Sequence, residues 1–459
     1  MKRNPLGVVT PAVLAAAASL ALAAPASADV EIVRPGESIQ AAVDAAEPGD
    51  KILVKRGRYA ENVVIATDDI TLKARGAKLV PPESPTENAC SFGEPARDGI
   101  CAIGEVDFPD EGPPNVTDPI SDVTVKGFKV KGFPGTGILF LGAEDPVAKH
   151  NRAKDNGEYG IARFFSTGGK IVGNKASGSE EAGIYVGDSP DADVLIARNR
   201  AFDNHLYGFF LRDAAHGRLV GNRAYGNCVG AIVFNTGANV AGDWRFFGNH
   251  VHDNDRFCPA DEEEGTPALS GIGIAIVNAS DNRLFGNVIH DNEPSGEVEF
   301  SGGVVVIDAG TPGANPPSGN VIKRNVILGN EPDIFWDGSG EGNVIERNRC
   351  RTSVPDGLCE SRHGHHKHHG DHKHHGHGHH KHHGDHEHHG DHKHHGDHDH
   401  GDDDHGDRHH GDRHHGDRDR DDDDRDRHDG DRHHSDDDDH DDHDDHDHGD
   451  RRDHRYDDD

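Results

Sequence analysis

Residues Asn199 to Asn235 read NRAFDNHLYGFFLRDAAHGRLVGNRAYGNCVGAIVFN and contain one unit almost twice. The unit is Asn-Arg-Ala-aromatic-x-Asn, a short polar step, a glycine with a three-residue apolar strand, a turn, and a third strand that leads to the next asparagine. Most units span 23 to 27 residues, and the two 38-residue units are interpreted as coils that carry loops. The opening asparagines are Asn151, Asn174, Asn199, Asn222, Asn249, Asn287, Asn325 and Asn348.

A unit of three short strands cannot close a hydrophobic core by itself, so neighbouring units must stack. Side chains alternate faces along a strand, which predicts that the first and third residues after each strand glycine point inward. These are Ile184 and Val186, Phe209 and Leu211, Ala231 and Val233, Ile274 and Ile276, and Val304 and Val306, with Arg163 as an exception to the apolar pattern. Strand spacing alone does not exclude a β-sandwich fold, but the recurring unit of 23 to 27 residues argues against it.

The Asn- and Gly-marked units, across roughly residues 30 to 360, resemble the right-handed parallel β-helix proteins of the pectin-lyase-like group. Residues 35–50, PGESIQAAVDAAEPGD, followed by KILVKRGRYAEN at 51–62, are similar to the helix that caps the first coil in this group and the strand after it. Ser38 is a suitable N-cap, and Ile39, Ala42, Val43 and Ala46 form an apolar face. The expected fold class is therefore all-β, a solenoid with three short strands per coil and an N-terminal helical cap.

Composition divides the chain into three segments. Residues 1–28 combine Lys2 and Arg3, an Ala/Leu/Val run and Ala26-Ser27-Ala28, as in a secretory signal peptide. The β-helix is expected over 29–360, with residues 81–119 as a proline-rich loop over one face. Residues 361–459 form a His- and Asp-rich low-complexity tail, which we expect to be disordered because it has almost nothing to bury.

Charge and cysteine usage restrict the surroundings of the protein. A formal net charge of −36 argues against nucleic acid as a partner. After the signal peptide, no stretch is apolar for long enough to span a membrane, so we expect a secreted or cell-envelope protein, extracellular or periplasmic. We also expect a monomer. Six cysteines allow 15 disulfide pairings, and nearness along the chain favours Cys90 with Cys101, Cys228 with Cys258 and Cys350 with Cys359. Such pairs fit an oxidising compartment.

The tail carries the clearest chemical signal. From His363 onward it holds 34 histidines, with 34 acidic against 14 basic side chains and hence a net charge of −20. Clustered imidazoles and carboxylates suit Zn²⁺, Ni²⁺ or Cu²⁺. The alternative is a solubilising spacer that binds metal only incidentally. The candidate ligands are His365, His366, His368, His369, His374, His375, His382 and His383.

A second metal candidate lies in the body of the chain. Units in register would place His252 and His290 one strand apart, roughly 4.8 Å, with Asp253 and Asp291 following them. The alternative is that these His-Asp-Asn sequences supply turn hydrogen bonds.

A ladder of polar residues occurs five positions after each strand glycine, at Asp188, Asp213, Asn235, Asn278 and Asp308. Stacked turns of this kind form hydrogen-bonded ladders, which is the structural interpretation. The functional interpretation adds the outward-facing Tyr185, Phe210 and Phe234 as sugar-stacking residues, with Asp188, Arg212 and Asp213 as catalytic groups and Ca²⁺ as a further ligand.

The resemblance implies carbohydrate binding along one sheet, with lyase, epimerase or hydrolase activity if the protein is an enzyme. No complete catalytic motif of the group can be matched in this sequence. Fold alone does not transfer an activity. A non-catalytic metal-delivery protein and a structural envelope protein are the alternatives, and a polysaccharide or cell-wall glycan and metal ions are the expected partners.

Overall fold

The computed structural model describes residues 28–109, 114–261 and 265–359. The predicted signal peptide, apart from its last residue, and the predicted tail with its eight candidate metal ligands lie outside the described residues. Within the described part of the chain, no helix has the length and apolar character needed to cross a bilayer.

Each complete coil contributes one strand to each of three parallel sheets, and the incomplete coils at the two ends lack one or two of these strands. The described body is therefore a parallel β-helix. Sheet A contains Val30–Val33, Lys51–Val54, Thr71–Ala74, Thr124–Lys126, Val147–Lys149, Lys170–Val172, Leu195–Ala197, Arg218–Val220, Arg245–Phe247, Arg283–Phe285, Val321–Lys323 and Val344–Glu346. Sheet B contains Arg58–Ala60, Lys78–Val80, Lys129–Lys131, Arg152–Lys154, Lys175–Ser177, Arg200–Phe202, Arg223–Tyr225, His250–His252, Val288–His290 and Val326–Leu328.

Sheet C holds the longest strands. It contains Val63–Ile65, Ile100–Ile103, Ile138–Leu141, Tyr159–Phe164, Ala182–Ser189, Tyr207–Ala214, Val229–Phe234, Ile272–Val277, Gly302–Ile307, Ile334–Trp336 and Ser353–Val354. Two small sheets pair Ile120–Ser121 with Ala143–Glu144 in parallel and Glu105–Asp107 with Asn115–Asp118 in antiparallel orientation. The 38-residue units carry their extra residues between strands, as predicted, for example at 253–261, 265–271 and 308–320.

A short helix, Ile39–Asp44, packs against the first coil. The Ser38 side chain accepts a hydrogen bond from the Ala41 backbone at 3.1 Å, and Ile39, Ala42 and Val43 are buried. The predicted helical cap is therefore confirmed, because an N-cap and an apolar face are both present.

The interior is a continuous column of apolar side chains, and every predicted inward pair belongs to it. Leu211 is completely buried between Val186 and Val233 in the register of sheet C. Arg163 also points inward, beside Phe140 and Val186, and is only 1% exposed. Its guanidinium donates to the Gly168 and Ala192 carbonyls at 2.6 and 3.4 Å. Burial lowers the pKa of Arg163 to about 9, and Asp145 offsets part of that effect.

The opening asparagines form a buried ladder along the corner between sheets A and B. Asn222 donates from its backbone and from its side chain to Oδ1 of Asn249, at 2.9 and 3.0 Å, and Asn249 repeats both bonds to Asn287. Each side-chain amide also donates to a carbonyl of an earlier coil, as Asn249 does to Leu219. The ladder satisfies the backbone groups that the turn would otherwise leave unpaired.

The segment 81–119 is only partly the loop that the sequence predicts. Its residues Ile100–Ile103 pair with Val63–Ile65 and Ile138–Leu141 as a full strand of sheet C. The proline content hid this strand, which is bounded by loops on both sides. All three predicted disulfides are confirmed: Cys90–Cys101, Cys228–Cys258 and Cys350–Cys359.

Candidate functional site

The outer face of sheet C carries the predicted sugar-stacking residues, but neighbouring side chains on the same face bury two of them. Tyr185 and Phe210 face outward, yet they are 0% and 6% exposed. The Tyr185 ring lies 4.4 Å from Tyr159 and 5.2 Å from Phe210, measured between ring centroids. These rings form a second apolar cluster, outside the main core, that also contains Cys228 and Cys258.

This burial corrects the prediction of an open aromatic strip. Sequence alternation correctly places Tyr185, Phe210 and Phe234 on one face, but the rings of Tyr159, Phe164 and Phe210 cover Tyr185 and shield it from water. Phe234 alone stays partly exposed. A sugar ring therefore has no free face of Tyr185 to stack on in this structure.

The predicted catalytic residues do lie together beside this cluster. Asp188 and Asp213 lie near the ends of the paired strands Ala182–Ser189 and Tyr207–Ala214, and both adopt positive φ values of 49°. The Arg212 Nε atom is 3.5 Å from Asp213 Oδ2, and Asp213 is completely buried. Asp213 also accepts hydrogen bonds from the Thr236 backbone and hydroxyl at 2.8 and 2.6 Å.

The electrostatics of this group favour a fixed ion pair over a proton-transfer site. Burial alone would lower the pKa of Arg212, but Tyr185, Asp188 and Asp213 together raise it. Burial raises the pKa of Asp188, and Asp213 adds to that effect while Arg212 opposes it. An arginine held as a cation between carboxylates is a poor general base. The catalytic roles of Asp188, Arg212 and Asp213 therefore stay a prediction.

The predicted polar ladder is present only in pieces. Asn278 donates from its side chain to Asp308 at 2.6 Å, whereas Asp213 bonds Thr236 rather than Asn235. Asn235 instead accepts from the backbone of Gly237 at 2.7 Å, within its own turn. The loops that leave sheet C differ from coil to coil, which interrupts the ladder.

The histidine cluster, His250, His252 and His290, lies on the outer face of sheet B. His252 and His290 are partners in adjacent strands, as predicted, with ring centroids 5.2 Å apart and planes 7° apart. Asp253 Oδ2 lies 2.6 Å from His252 Nδ1, and Asp291 Oδ2 lies 2.8 Å from His290 Nδ1. His250 Nε2 is 2.7 Å from His290 Nε2. The sequence interpretation selected His252 and His290 but left out His250.

Burial lowers the pKa of His250 to about 4, and the neighbouring His252, His290 and Arg223 lower it further, while Asp253 raises it. In the described ranges, no group of three or more His, Cys, Asp or Glu side chains is arranged around a ready-made metal position. The predicted Ca²⁺ in the groove of sheet C and the predicted transition metal at His252 and His290 therefore stay predictions.

Sequence reasoning also missed a line of cations on sheet B. The first residue of seven consecutive strands is Lys or Arg, and the register places these residues side by side, with His250 on the next strand. We call them the basic ladder: Arg58, Lys78, Lys129, Arg152, Lys175, Arg200 and Arg223. For four of the seven residues the signal was a basic side chain directly after an opening asparagine, at Arg152, Lys175, Arg200 and Arg223. The other three, Arg58, Lys78 and Lys129, have no preceding asparagine.

Comparison with known proteins agrees with this architecture. Residues 87–244 match the family model described as "Right handed beta helix region". The described body therefore has the right-handed parallel β-helix fold. This β-helix has the fold that the resemblance to the pectin-lyase-like group predicts. A comparison with curated proteins returned no match.

Among solved structures, the β-helix is similar to the A-module of the Azotobacter vinelandii mannuronan C-5 epimerase AlgE4, with 17% identity, a TM-score of 0.48, and coverage of 69% of this chain and 94% of that one. The periplasmic alginate epimerase AlgG has 16% identity, a TM-score of 0.42 and coverage of 69% and 82%. Pectate lyase Pel9A has 15% identity, a TM-score of 0.37 and coverage of 71% and 80%. These likenesses concern the fold alone, and no residue role is taken from them.

Further cations of the β-helix flank the basic ladder at the corner between sheets A and B. Lys73, Lys126 and Lys149 are partners in three consecutive strands of sheet A. Burial lowers the pKa of Lys126, and Lys149 and Lys73 lower it further. Burial also lowers the pKa of His150, which Lys149 and Lys126 lower in addition. The corner therefore has a positive local potential although the chain carries a formal net charge of −36.

Proposed function

We propose that the β-helix binds a linear anionic polysaccharide along the outer face of sheet B. The observation that carries the proposal is the basic ladder, which presents one cation per coil in seven consecutive strands. Adjacent strands of a sheet are about 4.8 Å apart, so the seven side chains form a straight row parallel to the helix axis. A row of this kind fits an extended polymer with regularly spaced carboxylates or sulfates.

The charges of the ladder are available to a ligand. In the described part of the chain, none of the seven residues forms an ion pair, whereas the neighbouring column pairs Lys131 and Lys154 with Asp155 at 3.1 and 3.7 Å. Like charges on adjacent strands repel each other, and a polyanion would remove that repulsion. If sheet B contacted only water, nothing would favour seven aligned cations on a protein with a formal net charge of −36.

A stack of rings runs beside the distal end of the ladder. Phe202 and Tyr225 are 5.0 Å apart with planes 12° apart, and Tyr225 stacks on His252 at 5.2 Å. The rings cover one another's faces, so they offer edges to a ligand rather than stacking platforms. We therefore assign recognition of the polymer to the cations of the basic ladder, and we expect the stacked rings only to stabilise the surface beside it.

The test compares two sets of three charge reversals in the full chain. Arg152→Glu/Lys175→Glu/Arg200→Glu removes the centre of the basic ladder. Arg218→Glu/Arg245→Glu/Arg283→Glu changes three arginines that are also partners in consecutive strands, but on sheet A. Binding of polygalacturonate, polymannuronate and a neutral glucan is measured by calorimetry at two salt concentrations.

We expect the sheet B variant to lose at least tenfold in affinity for a polyuronate, the sheet A variant to bind like the parent, and the neutral glucan not to bind. Weaker binding at higher salt is expected for a charge-based site. Equal losses in both variants would indicate unspecific attraction and contradict the proposal. So would the absence of binding to either polyuronate by the parent protein.

A further inference from the structure

We propose that His250 and His290, supported by His252, form a transition-metal site on the folded body, specific for a borderline cation of the Zn²⁺ class. The site adjoins the distal end of the basic ladder, where Arg223 is the partner of His250, and it is separate from the histidines in the tail. It rests on how the register of sheet B brings three imidazoles together and on how two carboxylates orient them.

The register accounts for the convergence. His250 and His252 are separated by the inward-pointing Val251, so both face outward from one strand. His290 is the partner of His252 on the next strand. The three ring centroids are 4.5, 4.9 and 5.2 Å from one another, which makes the cluster compact.

Two of the rings are oriented as metal-ligating histidines usually are. A carboxylate only accepts hydrogen bonds, so Asp291 holds the proton of His290 on Nδ1, and Asp253 does the same for His252. Both residues therefore present an Nε2 lone pair. A carboxylate behind a ligating imidazole fixes its tautomer and raises its basicity, which is the usual outer-shell arrangement of zinc sites.

The remaining short contact is the position at which a metal fits. His250 Nε2 and His290 Nε2 are 2.7 Å apart and share one proton as N–H···N. Two imidazole nitrogens bound to one tetrahedral Zn²⁺ at about 2.0–2.1 Å are roughly 3.3 Å apart. A small rotation of the two rings would open that distance, and the metal would replace the shared proton, which leaves to solvent. Water would complete the ligand set, with the stacked His252 ring beside it.

Charged side chains of both signs surround the histidine cluster and have opposite effects on a bound cation. Arg223 on the preceding strand opposes a cation, whereas Asp253 and Asp291 favour one. Leu328 is the partner of His290 on the following strand, so that side is apolar. With two carboxylates against one guanidinium, the local charge admits a divalent cation.

The test must separate this site from the tail, so its readout is resolved by residue. The full-length parent protein is treated with diethylpyrocarbonate with and without excess Zn²⁺, and carbethoxylation of each histidine is followed by peptide mass spectrometry. We expect Zn²⁺ to slow modification of His250 and His290 at least fivefold, while His205 and His216, outside the cluster, change little. Equal protection of all four histidines, or none at His250 and His290, would overturn the proposal.

A second measurement uses the stability of the body. A ligand that binds only the folded state raises the melting temperature, so saturating Zn²⁺ is expected to raise that of the parent by a few degrees. His250→Gln and His290→Gln should each abolish the rise, and His205→Gln, with an unchanged tail, should keep it. A rise that persists in both cluster variants would place the stabilising metal elsewhere and contradict the assignment.

Discussion

The side chain of Asn222 donates to Oδ1 of Asn249 at 3.0 Å, inside a corner where both residues are almost inaccessible to water. The Asn249 Oδ1 atom also accepts from the Asn222 backbone at 2.9 Å. One amide thus satisfies two donors of the preceding coil and donates to Leu219 and Asn287. The corner depends on this geometry rather than on apolar contacts.

We predict that Asn249→Ala destabilises the protein by on the order of 3 kcal/mol, because it leaves several buried donors and acceptors unpaired. Urea unfolding followed by circular dichroism measures the change. Asn235→Ala is the matched control, since Asn235 lies in a partly exposed turn and its side chain accepts a hydrogen bond from the Gly237 backbone. A loss for Asn249→Ala no larger than for the control would show that water replaces the ladder.

We predict that Leu211→Asp is severe, with a cost of several kcal/mol, because a carboxylate in the apolar column has no partner. Val220→Asp, a partly exposed position on the outer face of sheet A, is expected to cost far less. Melting temperatures compare the two. A Leu211→Asp protein that melts within a degree or two of the parent would contradict the inward assignment.

The pH dependence of stability is predicted from Asp98, whose Oδ1 accepts from the Thr136 backbone at 2.6 Å. Burial raises the pKa of Asp98 to about 6, with Glu158 adding to the rise and the Thr136 hydrogen bond and Arg97 opposing it. A raised folded-state pKa favours the protonated form, so this contribution to stability is complete below about 3.8 and is lost as the pH rises through 6.

We therefore expect Asp98→Asn to gain on the order of 2 kcal/mol relative to the parent between pH 4 and pH 7.5. Unfolding free energies of both proteins at the two pH values measure it. Asp107→Asn, at an exposed site beyond the same loop, serves as control and should show no such gain. A difference between Asp98→Asn and parent that does not change with pH would disprove the assignment.

Variants of Asp213 and Asp188 distinguish a structural role of the Arg212–Asp213 ion pair from a catalytic one. We predict that Asp213→Asn lowers stability by about 1–3 kcal/mol, because Arg212 loses its buried partner. If a polyuronate-modifying activity is found, Asp188→Asn tests its dependence on this group, since Asp188 is less buried. Retained activity in both variants, with Asp213→Asn merely less stable, would leave the pair purely structural.

Residues 361–459 are predicted to hold metal at neutral pH and release it in mild acid. Imidazoles titrate near an ordinary pKa of about 6.5, so protonation of 34 histidines would change the charge of residues 363–459 from −20 to +14 while the carboxylates stay ionised. Because ligation needs neutral imidazole, equilibrium dialysis with Zn²⁺, Ni²⁺ and Cu²⁺ should show uptake at pH 7.5 that falls steeply by pH 5. Identical uptake at both values would favour the spacer interpretation.

The fold was predictable from sequence because its determinants are local and periodic. The spacing of the asparagines set the coil, and alternation after each glycine placed Leu211 inside. The same rule could not show that Tyr185 is buried, because shielding on the outer face depends on neighbouring rings from other coils and on the loops around Cys228–Cys258.

The candidate sites were harder to predict for the same reason. His252 and His290 are 38 residues apart, and their register followed from the repeat. The contact between His250 and His290 is diagonal across two strands and depends on side-chain rotation, which spacing does not encode. The basic ladder was visible in the sequence, but its meaning required knowing that its members share one face.

The buried asparagine ladder has a consequence for the proposed polymer site on sheet B. The backbone N–H groups of Asn151, Asn174 and Asn199 each donate to Oδ1 of the asparagine in the next coil, so these coils share one hydrogen-bond pattern at the corner. Duplication of one coil would preserve every register and add one cation to the row on sheet B. The length of the cation row, and with it the length of polymer that the proposed site would contact, therefore changes only in steps of one whole coil.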